Sequence, residues 1–138
     1  MNTDCVVVDA NIAFKSLCAG RGKLRRRLSP DSDLKFYCPR FLFVELFKHK
    51  ERVARASGLT DADLVEGLHE LVSQLEFVNE AAIPVGTWME AYRLCKGIDA
   101  DDTPYVALAL NLDCQFWTED RELKSALRAR GFDRFFEP

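Results

Sequence analysis

Long apolar runs are missing from this 138-residue chain. The longest, such as Val106 to Leu110 and Phe41 to Val44, fall far short of the roughly 20 residues a membrane helix needs. Asp4 stands where a secretory signal would be basic, so a mature, soluble, cytoplasmic protein without a membrane segment is expected. Glycine (7) and proline (5) are scarce, which excludes collagen-like and low-complexity architectures. Paired cysteine spacings are also absent. Cys5, Cys18, Cys38, Cys95 and Cys114 form no CxxC and are odd in number, which argues against a zinc knuckle or a disulfide framework. They read as small buried hydrophobes in a reducing compartment. There are only two histidines, His49 and His69; neither has a motif partner, so zinc or Ser-His chemistry is not expected and both read as solvated helix positions. Finally, positive charge is not in excess. With 19 basic against 22 acidic residues the net charge is −3, which gives no global attraction to nucleic acid or to an anionic membrane.

What is present is an ordinary globular composition, 48% hydrophobic and 30% charged, in a length near that of one domain. One domain over residues 1–138 is expected. Cys5-Val6-Val7-Val8 is a β-branched run without polar alternation, the pattern of a strand buried on both faces. A helical pattern follows from Asn11 to about Leu28, broken at Gly20 and Gly22, and Ser29-Pro30-Asp31 reads as a turn. Leu34–Cys38 predicts a second strand, and the segment from about Arg40 to Ala56 a helix that stops at Ser57-Gly58. Thr60 and Asp63 form a capping signature for a helix carrying Leu64, Val65, Leu68, Leu71, Val72 and Leu75. Glu76–Asn79 is a third, weak strand, and helices are predicted from about Pro84 to Lys96 and from Asp102, as cap, to Leu112. Cys114–Thr118 is a fourth strand, Arg121–Arg130 a last helix, and Phe135-Phe136 a candidate edge strand. Strands separated by helices predict an α/β fold with a parallel central sheet of four to five strands.

In such folds ligands bind where the carboxyl ends of the strands meet a reversal of strand order. Asp9 ends the first strand, and Asp120 follows the fourth. Glu45 interrupts an apolar helix segment, Phe41 to Phe47, where a charge is costly to bury alone, and Asp102 heads an almost wholly apolar helix. Each acid alone has a structural account: Asp9, Asp102 and Asp120 as helix caps, Glu45 paired with Lys48 or His49. Converging together, four carboxylates would repel unless a hard divalent cation with oxygen ligands lay between them.

These four blocks resemble the PIN-domain nucleases, and in particular the VapC-like toxin subgroup. The resemblance runs through Val6-Val7-Val8-Asp9-Ala10-Asn11, Pro39 to Glu45 and His49, Asp99-Ala100-Asp101-Asp102-Thr103-Pro104-Tyr105, and Trp117-Thr118-Glu119-Asp120, so it covers nearly the whole chain. It implies a metal-dependent endoribonuclease with Asp9, Glu45, Asp102 and Asp120 as catalytic and metal-holding residues, Mg2+ or Mn2+ as cofactor, and products with 5′-phosphate and 3′-hydroxyl ends. Asn11 and Thr118 look like supporting polar residues. In the Asp99 to Asp102 cluster, Asp102 has the helix-start position that the family pattern gives to the ligand; Asp99 is a supporting candidate and Asp101 is expected to point away. A phosphoaspartyl phosphatase would need an acid where Asn11 stands.

Arg21, Lys23, Arg25, Arg26 and Arg27 put five positive charges in seven residues, a local surface for RNA phosphates or for a partner's acidic tail. Setting aside four ligands from the 22 acids leaves 18 against 19 bases, a balanced remainder. The resemblance further implies a small antitoxin as partner, and a homodimer, with the apolar stripe of the Asp61 to Leu75 helix as one surface for either. The reading from a different class is a PIN fold that binds RNA or protein without cleaving.

Overall fold

The computed structural model describes residues 2–18, 28 and 33–138. Four strands, β1 (Asn2–Val8), β2 (Lys35–Pro39), β3 (Glu76–Val78) and β4 (Cys114–Trp117), form one sheet in the order β3-β2-β1-β4. Every pairing is parallel. The six described helices are α1 (Ala10–Cys18), α2 (Phe41–Ser57), α3 (Asp61–Gln74), α4 (Val85–Cys95), α5 (Thr103–Leu112) and α6 (Arg121–Ala129). Short 3-10 turns lie at Glu80–Ala82 and Ala100–Asp102.

The expected α/β architecture is therefore present, with four strands. Phe135 contributes only an isolated parallel bridge to Phe116, too short to make a fifth strand. β1 lies between β2 and β4, and its Val6, Val7 and Val8 are fully buried, as a strand covered on both faces requires. α5 packs on β1, β2 and β4 with α4 against it, while α1 packs with α2 and α3. Tyr105, Val106, Ala107, Leu108 and Ala109 of α5 have no exposed surface, which explains why that helix is apolar all round rather than amphipathic.

Local signals set most boundaries. Thr60 and Asp63 form the reciprocal capping box of α3, and Gly58 ends α2 in the left-handed conformation (φ 67°) that glycine adopts without a Cβ clash. Asp102 departs from expectation. It occupies the position before α5, yet its side chain makes no capping hydrogen bond, and its backbone is already helical because the preceding 3-10 turn runs straight into α5. The capping contact belongs to Asp99, whose Oδ1 accepts from the Asp101 N–H at 3.1 Å.

The cysteine reading needs a larger correction. Cys5 and Cys114 are joined by a disulfide between the adjacent strands β1 and β4, with Cα atoms 5.2 Å apart. Their separation of 109 residues conceals a neighbour relation that only the strand order creates. Cys38 and Cys95 are buried free thiols, as expected, and Cys18 is a half-buried one. No helix among the described residues is long and apolar enough to cross a membrane.

Candidate active site

The strand order reverses at β1, since β2 lies on one side of it and β4 on the other. Ligand crevices form at such reversals, and Asp9 emerges here. It is buried (2% exposed), and its Oδ1 accepts the Ile12 N–H at 2.8 Å, which caps α1. Thr118, also buried, hydrogen-bonds the Asp9 carboxylate and accepts the Asp120 N–H at 3.2 Å, so one hydroxyl ties the ends of β1 and β4 together. Burial pushes the Asp9 carboxyl up to about 6; the nearby charges of Asp120 and Glu119 add to this, while the bonds from Thr118 and Ile12 oppose it. Asp120 is exposed and caps α6, its Oδ1 accepting the Leu123 N–H at 3.1 Å.

The other acids arrive on helices. Glu45, half-buried on α2, accepts a 2.6 Å hydrogen bond at Oε1 from the Tyr105 hydroxyl of α5. Its carboxyl is raised by burial, with Asp101, Asp99 and Asp9 as charged neighbours, against the lowering effect of Tyr105. Neither Lys48 nor His49 is its partner; His49 instead packs edge-on against the Phe14 ring at 6.4 Å and is half-buried rather than solvated. The Asp102 carboxyl is held well above the ordinary range, chiefly by burial and then by the charges of Asp99, Asp9 and Glu45. It also hydrogen-bonds the Asp99 carboxyl, a contact that needs a proton on one of the two.

The structure thus brings Asp9, Glu45 and Asp102 into mutual electrostatic contact and adds Asp99 beside Asp102. Asp101 is exposed, and its charge adds to the raising of Glu45. Asp120 stands at the Asp9 end of the cluster. Asn11 is exposed on the first turn of α1, where it shares the wall of a cleft with Asp120. That cleft, about 630 Å3, opens between α1 and the second half of α2. Arg21, Lys23, Arg25, Arg26 and Arg27, like the turn at residues 29–31, lie outside the described residues.

The donor set is all carboxylate, and every resolved perturbation within it is upward, first through burial and then through negative charge without a compensating base. Such a set fits a hard divalent cation, whose binding would displace the protons. As the side chains stand, no group of three or more His, Cys, Asp or Glu among the described residues is closed into a ligand cage. Two of the carboxylates are turned onto helix ends and one onto Tyr105, which keeps the like charges apart.

A family model described as PIN domain matches residues 7–132. The chain belongs to the PIN-domain family. PIN domains are typically nucleases and usually use divalent metals. No curated protein matches the chain. Within this PIN domain, sequence reasoning missed Tyr105, which it read as one more apolar helix residue. The signal was available: a tyrosine in an otherwise aliphatic buried helix must find a partner for its hydroxyl, and here Glu45 is that partner.

Proposed function

We propose that this PIN domain is a divalent-metal-dependent endoribonuclease, VapC-like, acting as the toxin of a toxin-antitoxin pair in the cytoplasm. The observation that carries the reading is the cluster of Asp9, Glu45 and Asp102, three carboxyls raised by burial and by neighbouring acids, with Asp99 and Asp120 at its borders. Glu45 has no capping duty, and Asp102 makes no cap although it stands at a helix start, so neither acid is explained by local structure.

Asp9, Glu45, Asp102 and Asp120 would hold Mg2+ or Mn2+, with Asp99 reinforcing Asp102. When bound, the metal supplies an activated water and stabilises charge on the leaving oxygen of a phosphodiester. The chain's own part is positional. Thr118 fixes the Asp9 carboxylate from just past the end of β4, and Tyr105 fixes that of Glu45 from α5. Asn11 presents a neutral amide at the mouth, beside the carboxylate of Asp120. Asp9 and Asp102, whose carboxyls are raised to about 6 and about 9, would give up any protons they carry on loading, so activity is expected to rise with pH.

Antitoxin or second-copy contact is supported by an apolar groove of about 430 Å3 between α2 and α3, in which Phe47 and Val65 are 71% and 68% exposed. The capping use of Asp9 and Asp120 favours the second reading, a PIN fold that binds RNA or protein without cleaving. Incubation of purified protein with total cellular RNA in Mg2+, Mn2+ or EDTA, with end mapping, separates the two. Metal-dependent products with 5′-phosphate ends are expected, and unchanged RNA in both metals would leave the binding module. Growth arrest on expression alone, absent for Asp9→Asn, tests the toxin role.

A further inference from the structure

The cleft between α1 and α2 shares Asp120 with the acid cluster, but the carboxylate chemistry makes no use of its interior. Phe14 and Cys18 lie one turn apart on α1, and Val53 and Ala56 lie one turn apart on α2, so each helix turns an apolar pair inward. Polar groups stand around this apolar lining. Asn11 and Asp120 mark the end towards the strands, and Arg52 is exposed at the wall formed by α2. The other lysine or arginine of the cleft, Lys15, is already tied to Glu119 across it, whereas Arg52 forms no ion pair with a described residue. The Phe14 ring is held in place by the edge-on contact with His49.

A volume of about 630 Å3 falls within the range of small-molecule sites, large enough for a nucleoside. Its shape of apolar walls, a cation without an ion pair among the described residues and continuity with the acid cluster matches a planar base joined to a phosphate. A protein helix would match the α2–α3 groove better, where Phe43, Leu46, Phe47, Leu64, Val65 and Leu68 make a continuous apolar wall. We propose that the α1–α2 cleft is a nucleoside-binding subsite, which seats the base of a single-stranded RNA residue next to the scissile phosphate while Arg52 neutralises an adjoining phosphate. This rests on the ribonuclease reading and deepens it: RNA choice is made by the chain itself, between α1 and α2.

The test is binding without turnover. Isotope-labelled protein in EDTA is titrated with AMP, GMP, CMP and UMP, and with inorganic phosphate alone, while amide shifts are followed by NMR. At least one nucleotide is expected to shift Phe14, Val53 and Ala56. Ala56→Trp, which fills the cleft from an exposed position, should abolish the shifts, and Arg52→Ala should weaken them. With an RNA oligonucleotide and Mg2+, Ala56→Trp should raise KM about tenfold with kcat changed by less than about threefold. No shifts with any nucleotide, equal shifts with phosphate alone, or shifts that survive Ala56→Trp in a folded protein would each overturn the subsite. So would a cleft that ignores nucleotides while Ala56→Trp blocks a protein partner. Nucleotide binding that responds to the variants, in a protein that cleaves no RNA in Mg2+ or Mn2+, would instead sink the nuclease reading and leave the subsite standing.

Discussion

The two halves of the acid site are built differently. The half carried by the sheet, Asp9 and Asp120 at the ends of β1 and β4, is fixed by backbone: each carboxylate caps a helix, one threonine links the two, and Cys5–Cys114 staples the same strand pair. The half carried by helices, Glu45 on α2 and Asp102 ahead of α5, has no such anchorage; a single tyrosine hydroxyl holds Glu45, and Asp102 leans on another carboxyl. Acids that cap would persist in a pure scaffold. Acids that only repel one another would not, so the helix-borne pair carries the functional argument.

The sharpest test of this contrast is substitution at all four positions. Asp9→Asn, Glu45→Gln, Asp102→Asn and Asp120→Asn should each lower RNA cleavage by more than about a hundredfold, beyond the loss typical of residues behind a metal's ligands. Stability should divide the halves. In EDTA, Asp102→Ala should raise the melting temperature because it removes a repelling buried acid, whereas Asp120→Ala should destabilise by about 1 kcal/mol through the lost cap. Equal stabilisation by both would erase the distinction.

The staple comes next. Closing a loop of this length restricts the unfolded chain by about 5 kcal/mol in the chain-entropy picture, so reduction should lower the melting temperature markedly. Thiol titration of the unreduced, denatured protein should find the three free cysteines, and five after reduction. Five without reductant would remove the staple from the sheet-borne half.

The pH response is of similar size. For Asp9 the folded carboxyl lies at about 6 against an ordinary 3.8, so the folded state binds the proton more tightly than the unfolded one. Its stabilising effect is complete below pH 3.8 and is lost as pH rises to about 6, a change of about 3 kcal/mol. Asp102, raised further, extends the decline to higher pH. Denaturant melts in EDTA should show stability falling with pH across this window, and Mg2+ should restore it most where the carboxyls have ionised. A flat profile would mean that the cluster is better solvated than its burial indicates.

The smallest effect is expected at Tyr105→Phe, which leaves the Glu45 carboxylate in place but free to turn. A loss of about tenfold to a hundredfold in activity, with weaker Mg2+ dependence and the fold retained, would mark Tyr105 as a positioning residue. An unchanged Mg2+ titration would confine it to packing.

Much of this was readable in the chain. The all-apolar, β-branched run Val6 to Val8 has the pattern of a strand covered on both faces, and Thr60 with Asp63 encodes the start of α3 in four residues, because both depend on neighbours in sequence. The acids at Asp9 and Glu45 stood out for the same reason, as charges set against apolar runs. Other features depend on which distant segments meet. Cys5 finds Cys114 only because β4 returns to the far side of β1; Tyr105 finds Glu45 only because α5 lies across the sheet from β1 to β2; and Asp102 is released from capping only because a 3-10 turn precedes it. Sequence by itself determined where charge interrupts the core, since burial and periodicity are local and one-dimensional. Tertiary structure alone decided which of those charges share a solvent-poor space, because mutual repulsion and desolvation depend on through-space distances that strand order and helix packing set.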